Sequence, residues 1–198
     1  STPWSGIDPI MATAELIEAL NTIVSRRINI INNPAVISVG LVKAGTRNNI
    51  IPEDAEIMGT IRTFDPLLRT EIYEEIEQIA RGVSIGTGTD ISVEFDVGGF
   101  YPVTFNAPKL VNAMKESLMK ASPGRFYESN TPVTGAEDFS YFSQEIPGMY
   151  FWLGINKPGV GLESANFGER TDVAGNHSPY FYVDDSALDE GVRAFVYL

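Results

Sequence analysis

Apolar and polar residues alternate along the first hundred residues with the periods of helices and strands. Apolar side chains recur at helical spacing between Asp8 and Arg27, with Asp8 as the predicted N-cap and Pro9 at the first helical position. Residues 35–43 and 55–64 alternate as strands do, and the short polar loop between them favours an antiparallel pair. The chain is therefore predicted to begin with a helix followed by a hairpin.

The next elements predict the topology of this part of the chain. A second helix is expected from Pro66 to Arg81, capped by Asp65, and the glycine-rich residues 82–88 are expected to link it to a third strand at 90–97. One additional strand at the N-terminal end of this series would give strand–helix–strand–strand–helix–strand, the ferredoxin-like two-layer sandwich. We therefore expect an α+β fold of this type whose first strand is missing.

After Gly98-Gly99 the composition shifts towards aromatic residues and proline, which predicts two domains, residues 1–103 and 104–198. In the second, the apolar run 149–153 has the length of a strand buried on both faces. Helices are predicted at 107–121 and 186–197. Residues 135–143 are predicted to form a turn that enters a short helix, with Glu137 and Asp138 in the first turn of that helix.

The closing helix is predicted to turn four large apolar residues inward, namely Leu188, Val192, Phe195 and Val196. A few helices and one strand cannot cover all of these apolar faces. The second domain is therefore expected to be part of a larger α/β domain.

The composition excludes several classes of function. The net charge is -12, which argues against nucleic acid as a partner, and no cysteine is present for disulfides or thiolate chemistry. No apolar run approaches the length of a membrane span and no signal peptide is recognisable, so we expect no membrane partner and a cytoplasmic location. The chain begins at Ser1 without an initiator methionine, which we interpret as a processed chain or a fragment.

The single histidine, His177, lies in an Asn-His-Ser-Pro loop and could bind a metal ion or move a proton. A lone histidine is more often a surface or packed residue, and one ligand does not hold a metal ion. Glu137 and Asp138 are open to two interpretations, as site residues or as acidic residues that stabilise a helix start. Asn49 and Arg62 could together bind a carboxylate, or could simply lie in solvent.

Five motifs occur in a fixed order along the whole chain and resemble one enzyme family. They are Pro3-Trp4-Ser5-Gly6-Ile7-Asp8-Pro9-Ile10, Asn49-Ile50-Ile51-Pro52, Gly59-Thr60-Ile61-Arg62-Thr63-Phe64, Gly135-Ala136-Glu137-Asp138-Phe139-Ser140 and Asn176-His177-Ser178-Pro179. The chain resembles the metal-dependent amidohydrolases of the aminoacylase and carboxypeptidase superfamily. The most similar branch is that of hippurate hydrolase, N-acyl-amino-acid hydrolase and indole-acetyl-amino-acid hydrolase.

The resemblance implies a two-metal catalytic domain interrupted by a ferredoxin-like lid that also forms the homodimer. Residues 1–103 would be most of the lid, and residues 104–198 the C-terminal part of the catalytic domain. By the family pattern, His177 is a metal ligand, Asn49 and Arg62 hold the substrate carboxylate, often across the dimer, and Glu137 and Asp138 lie at the edge of the site. The implied cofactors are two divalent ions, zinc or manganese, and the implied substrates are N-acyl amino acids or small peptides.

The chain also departs from the family pattern. The remaining metal ligands, the glutamate that acts as general base and a lid histidine are all absent, so no catalytic residue is assigned within this chain and we expect it to be inactive by itself. In a complete member, two metal ions would activate a water molecule and the glutamate would move its proton. Two alternatives stay open: a non-catalytic dimerisation module, and a ferredoxin-like regulatory domain that binds amino acids.

Overall fold

The computed structural model describes residues 2–156 and 174–198. It divides the chain into two compact units, Ser1–Val103 and Thr104–Leu198. In chain order the described elements are a 3-10 turn (Pro3–Ser5), α1 (Pro9–Thr22) continued by a π-helical turn (Ile23–Arg27), β1 (Ala35–Ala44), β2 (Ala55–Thr63), α2 (Pro66–Thr87), α3 (Pro108–Ala121), α4 (Phe139–Glu145) and α5 (Ser186–Tyr197). The mixed helix and strand content agrees with the predicted α/β character.

Strands β1 and β2 form an antiparallel hairpin, which confirms the predicted pairing. The register runs from Ala35 opposite Thr63 to Ala44 opposite Ala55, with one irregularity between Val39 and Leu41. In the part of the chain that the structure describes, the sheet contains these two strands alone. One edge of each strand is therefore without a ladder partner there.

Helices α1 and α2 pack on one face of this hairpin and form the core of the first unit. Both begin as the sequence predicts: Asp8 Oδ1 accepts from the Ile10 N–H at 2.9 Å, and Asp65 Oδ1 accepts from the Leu67 N–H at 2.8 Å. Each helix also has proline at its first position, where no backbone donor is needed. The buried core consists of Ala12, Leu20, Ile23, Ala35, Leu68, Ile72, Ile79 and Val83.

The predicted glycine link at 82–88 is wrong, because α2 continues through it. The helix ends only at Gly88, whose φ of 76° is the left-handed conformation that glycine adopts without strain. Val83 is buried in the core, so the packing of this last part of the helix outweighs the low helix propensity of glycine.

The predicted third strand at 90–97 is also wrong, since these residues form no ladder with another strand. Side chains hold them to α2 instead. The Tyr73 ring stacks on Phe95 with centroids 4.0 Å apart, and its hydroxyl donates to Asp96 Oδ1 at 2.7 Å. Burial and this hydrogen bond raise the pKa of Tyr73 to about 12. A strand needs a neighbouring backbone to pair with, and this segment has none within the described residues.

In the second unit α3 packs against α5, and residues 149–153 do not form the predicted buried strand. Trp152 within that run is 56% exposed. The predicted inward face of α5 is wrong as well, because Leu188, Val192, Phe195 and Val196 are all exposed. Small residues, Ala187 and Ala194, together with Glu190 form the buried face instead. The large apolar face of α5 is mostly exposed, although the Phe195 ring lies 5.9 Å from the ring of Phe151.

No helix in the described ranges has the length and apolar character needed to cross a membrane.

Gly59 is expected to be essential for the close approach of the two strands. A β-carbon added there would lie well inside van der Waals contact of the Ser38 carbonyl oxygen, next to the ladder irregularity. Gly59→Ala should therefore lower the free energy of unfolding by about 1–3 kcal/mol, measured by urea denaturation. Gly40→Ala is the matched control, since a β-carbon there meets no atom within 4 Å. Equal midpoints for the two variants would show that the backbone relaxes freely at Gly59.

Candidate functional site

The hairpin places Asn49 and Arg62 at opposite ends. Arg62 is half-buried and lies opposite Val36 near the start of β1, whereas Asn49 is exposed in the loop that joins Ala44 to Ala55. Arg62 lies seven positions after Ala55 along β2, which corresponds to roughly 23 Å of extended chain. The structure therefore does not bring the two side chains together within one protomer, and one carboxylate cannot contact both of them there.

Glu137 and Asp138, by contrast, lie side by side at the start of α4. The helix begins at Phe139, so Asp138 occupies the N-cap position and Glu137 precedes it, rather than both lying in the first turn. Glu137 Oε1 accepts from the Asp138 N–H at 3.0 Å, and Glu137 Oε2 accepts from the Tyr150 hydroxyl at 2.7 Å. Asp138 makes no capping hydrogen bond. The Glu137 side chain thus accepts hydrogen bonds from Tyr150 and from the Asp138 backbone, and neither carboxylate caps the helix.

The hydrogen bonds of this pair move the pKa values of its members in opposite directions. The pKa of Glu137 is lowered, first by the hydrogen bond from the Tyr150 hydroxyl and then by a side-chain hydrogen bond with the Asp138 carboxyl. The pKa of Asp138 is raised, first by this hydrogen bond between the two carboxyls, in which the protonated Asp138 is the donor, and then by the negative charge of Glu137. The pKa of Tyr150 is raised because its hydroxyl donates a hydrogen bond to the Glu137 carboxylate. Glu137 is therefore the stronger acid of the two.

Tyr150 is a site residue that the sequence alone does not reveal. It belongs to the apolar run 149–153, where a tyrosine looks like one more large core residue. The only sequence signal is its hydroxyl, because a partly buried tyrosine generally finds a hydrogen-bond partner. Which partner it finds depends on the fold, since thirteen residues separate it from Glu137.

His177 lies in an exposed turn, in which the Ser178 N–H donates to the Gly175 carbonyl at 3.2 Å. Its φ of 70° is left-handed, which is uncommon for a residue other than glycine and often marks a functional position. Among residues 2–156 and 174–198, no three His, Asp or Glu side chains come together in a way that could hold a metal ion. His177 and the acidic pair therefore do not form a metal site by themselves. The other carboxylates of the predicted loop, Glu163, Glu169 and Asp172, lie outside the described residues.

Comparison with protein families gives a match over most of the chain. The model described as "Peptidase family M20/M25/M40" matches residues 9–198. Among characterised relatives, thermostable carboxypeptidase 2 of Saccharolobus solfataricus is 34% identical over 198 residues, which is 100% of this chain and 47% of that protein. The N-acetylcysteine deacetylase of Bacillus subtilis is 33% identical over 196 residues, 99% of this chain and 46% of that protein.

Comparison with solved structures also gives matches over almost the whole chain. A Bacillus subtilis protein described as a dinuclear metal-binding peptidase of the M20 family matches with a TM-score of 0.67 and 28% identity, over 96% of this chain and 45% of that one. An aminohydrolase structure from methicillin-resistant Staphylococcus aureus has a TM-score of 0.71 at 24% identity, over 100% of this chain and 48% of that one, and shows the shared fold. The chain spans about half the length of the relatives it matches.

Proposed function

Because this chain belongs to peptidase family M20/M25/M40, we propose that it is the lid and C-terminal part of a metal-dependent amidohydrolase. The observation that carries the proposal is the family match over residues 9–198. The relatives named above, a carboxypeptidase and a deacetylase, both break an amide bond, which supports N-acyl amino acids or small peptides as substrates. The products would be a carboxylate and an amine. A cytoplasmic location remains part of this proposal.

The described residues do not by themselves fit a metal centre, because no group of three ligands exists among them. We propose that His177 is the one ligand this chain supplies, and that the other ligands of two divalent ions, zinc or manganese, lie outside it. Its left-handed backbone supports this role, since holding a residue other than glycine in this conformation costs free energy and such residues are often found at functional sites. The dinuclear metal-binding relative supports the presence of divalent ions. Without those other ligands the 198-residue chain should be inactive.

Asn49 and Arg62 remain candidates for binding the substrate carboxylate, but their separation requires two copies of the chain. We propose a homodimer in which Arg62 of one protomer and Asn49 of its partner bind the same substrate carboxylate. The edge of β1 that faces away from β2 supports this arrangement, because an unpaired strand edge pairs readily with another chain.

The first unit contains a gap that supports a ferredoxin-like lid. A cavity of about 380 Å³ is lined by residues of β1 and β2, by residues 89–95 and by α1 and α2. Ala55, Ile57 and Ile61 contribute to it from β2, and Ile91 and Val93 contribute from the segment that follows α2. The residues that lead into α1 approach this region, since the Ile7 side chain lies beside Gly88 and the Ile51 side chain lies beside Gly6. A strand preceding them would run antiparallel to β2 and to residues 90–97, and would supply both with backbone partners.

The rival function is a non-catalytic dimerisation or amino-acid-binding module. The lack of a metal-ligand group among the described residues favours it. The two proposals differ in what the whole protein should do, because the module should neither bind metal ions nor hydrolyse amides.

Hydrolysis should depend on His177 in the whole protein to which the chain belongs. We expect release of amine from N-acetyl amino acids, loss of activity on chelation, and a decrease of at least about 100-fold in kcat/KM for His177→Asn. Asparagine tolerates the left-handed conformation, so this variant removes the imidazole and keeps the turn. Tyr127→Phe, at an exposed position in the second unit, is the control. Hydrolysis that survives chelation and the His177→Asn substitution would refute the metal role.

The shared site can be tested by mixing two inactive variants of the whole protein, Asn49→Ala and Arg62→Ala. If the residues act across a dimer, each mixed dimer keeps one intact site, and random exchange should restore about a quarter of the wild-type activity. If both residues act from the same protomer, no mixed dimer has an intact site and activity stays absent. A protein that sediments only as a monomer at micromolar concentration would contradict the dimer itself.

The missing strand should be visible in amide hydrogen exchange. In the 198-residue chain, the amides of β2 that do not bond to β1 and the amides of residues 90–96 should exchange rapidly, because they have no backbone acceptor among the described residues. In the whole protein the same amides should be protected by at least about tenfold. The β2 amides that bond to β1 are the internal control and should be protected in both. Identical exchange at the cavity edge in the two proteins would contradict an inserted strand.

A further inference from the structure

The backbone of Tyr150 is held by a side chain that takes the place of a neighbouring strand. The Asn106 side-chain amide donates from Nδ2 to the Tyr150 carbonyl at 2.8 Å, and Asn106 Oδ1 accepts from the Tyr150 N–H at 2.6 Å. An asparagine amide has a donor and an acceptor side by side, as a peptide group has, so one side chain satisfies both backbone groups. The adjacent Ala107 N–H donates to the Gly148 carbonyl at 2.9 Å and extends the same contact.

The ring of Tyr150 is held from two further directions. Its centroid lies 5.6 Å from that of Phe139 in a tilted contact and 5.4 Å from that of Trp152 in an edge-on contact. Both distances and both orientations are favourable for aromatic pairs. With the backbone held by Asn106 and the ring held between two aromatic neighbours, the hydroxyl has a defined position.

That hydroxyl reaches Glu137, whose two carboxylate oxygens each receive a hydrogen bond. Oε2 accepts from Tyr150 at 2.7 Å and Oε1 accepts from the Asp138 N–H at 3.0 Å. Donors on both oxygens stabilise the charged form of this carboxylate and fix its plane.

We propose that Tyr150 and Asn106 are positioning residues for Glu137. Together they keep Glu137 charged and oriented, so that Asp138 is the member of the pair that takes up the first proton on acidification. This rests on the proposed hydrolase function, and it gives Glu137 and Asp138, which the family resemblance places at the edge of the site, a part in binding the substrate. The oriented Glu137 carboxylate accepts a hydrogen bond from the N–H group of an N-acyl amino acid or peptide, and Asp138 adjusts the charge of the site with pH.

The opposite pKa directions of Glu137 and Asp138 agree with this geometry. In the described part of the chain, the groups that act on the pair are the Tyr150 hydroxyl, the backbone N–H groups of Asp138 and Phe139, and the two carboxyls themselves. Tyr150 is the only one of these outside the short segment that contains the pair. Its removal should therefore change the pKa values of the pair more than any other single substitution outside residues 137–139.

The test is a carboxyl ¹³C NMR titration of the 198-residue chain with wild-type sequence, Tyr150→Phe and Asn106→Ala. In Tyr150→Phe we expect the titration midpoint of Glu137 to move to higher pH and that of Asp138 to move to lower pH. The difference between the two pKa values should therefore become smaller. Asn106→Ala should reduce this pKa difference less, because it keeps the Tyr150 hydroxyl and removes only the hydrogen bonds that hold the Tyr150 backbone. Tyr127→Phe, which removes an exposed hydroxyl elsewhere in the unit, should leave both midpoints unchanged.

Unchanged midpoints for Glu137 and Asp138 in both Tyr150→Phe and Asn106→Ala would overturn the positioning role. If Tyr150→Phe does not fold, as judged from the dispersion of its amide spectrum, Asn106→Ala decides the outcome. A separate measurement on the whole protein addresses the substrate role. There Tyr150→Phe should raise KM roughly tenfold with little change in kcat. Altered midpoints with an unchanged KM would keep the positioning role and count against the proposed binding of substrate by the pair.

Discussion

A two-stranded hairpin is not stable by itself in water, and the first unit depends on α1 and α2 covering one of its faces. The inward side chains of both helices meet those of the hairpin in one core, in which Ile23 and Ile72 are almost completely buried. Two aspartate caps and two prolines start the helices at the residues that make this packing possible. The helices cannot pair with the edges of the hairpin, because the backbone N–H and C=O groups there need a neighbouring strand. Residues of β2 and residues 89–95 both line the cavity of this unit, and within the described part of the chain residues 90–97 pair with no strand.

The second unit depends more on polar contacts and less on a large apolar core. Glu190, which is largely buried on α5, forms ion pairs with Arg125 and with Arg193. The Asn106 amide and the Tyr150 hydroxyl join residues 105–107, 137–139 and 148–152 through hydrogen bonds. Meanwhile the largest apolar side chains of α5 are exposed. An exposed stripe of this kind is unusual for a complete domain and fits our proposal that a larger catalytic domain covers it.

The candidate residues are distributed so that each unit holds an incomplete part of a site. The first unit carries Asn49 and Arg62 at opposite ends of its hairpin, and the second carries the Glu137–Asp138 pair and His177. An enzyme built from such parts would need residues from outside this chain and from a second copy. That requirement makes the proposed hydrolase testable, because each missing contribution predicts a different loss of activity.

The sequence by itself determined the family, both caps of the long helices, the hairpin pairing and the position of α5. These follow from local signals: a cap residue, a proline or an alternating run acts within a few residues of the element it specifies. It was wrong where an element needs a partner. Residues 90–97 and 149–153 have the pattern of strands but form no ladder, and α2 continues through glycines because Val83 is buried. The tertiary structure alone decided that Tyr150 meets Glu137 and that Asn49 and Arg62 lie apart. Hydrogen-bond partners far apart in the chain depend on how the elements pack, and no local pattern of residues encodes that packing.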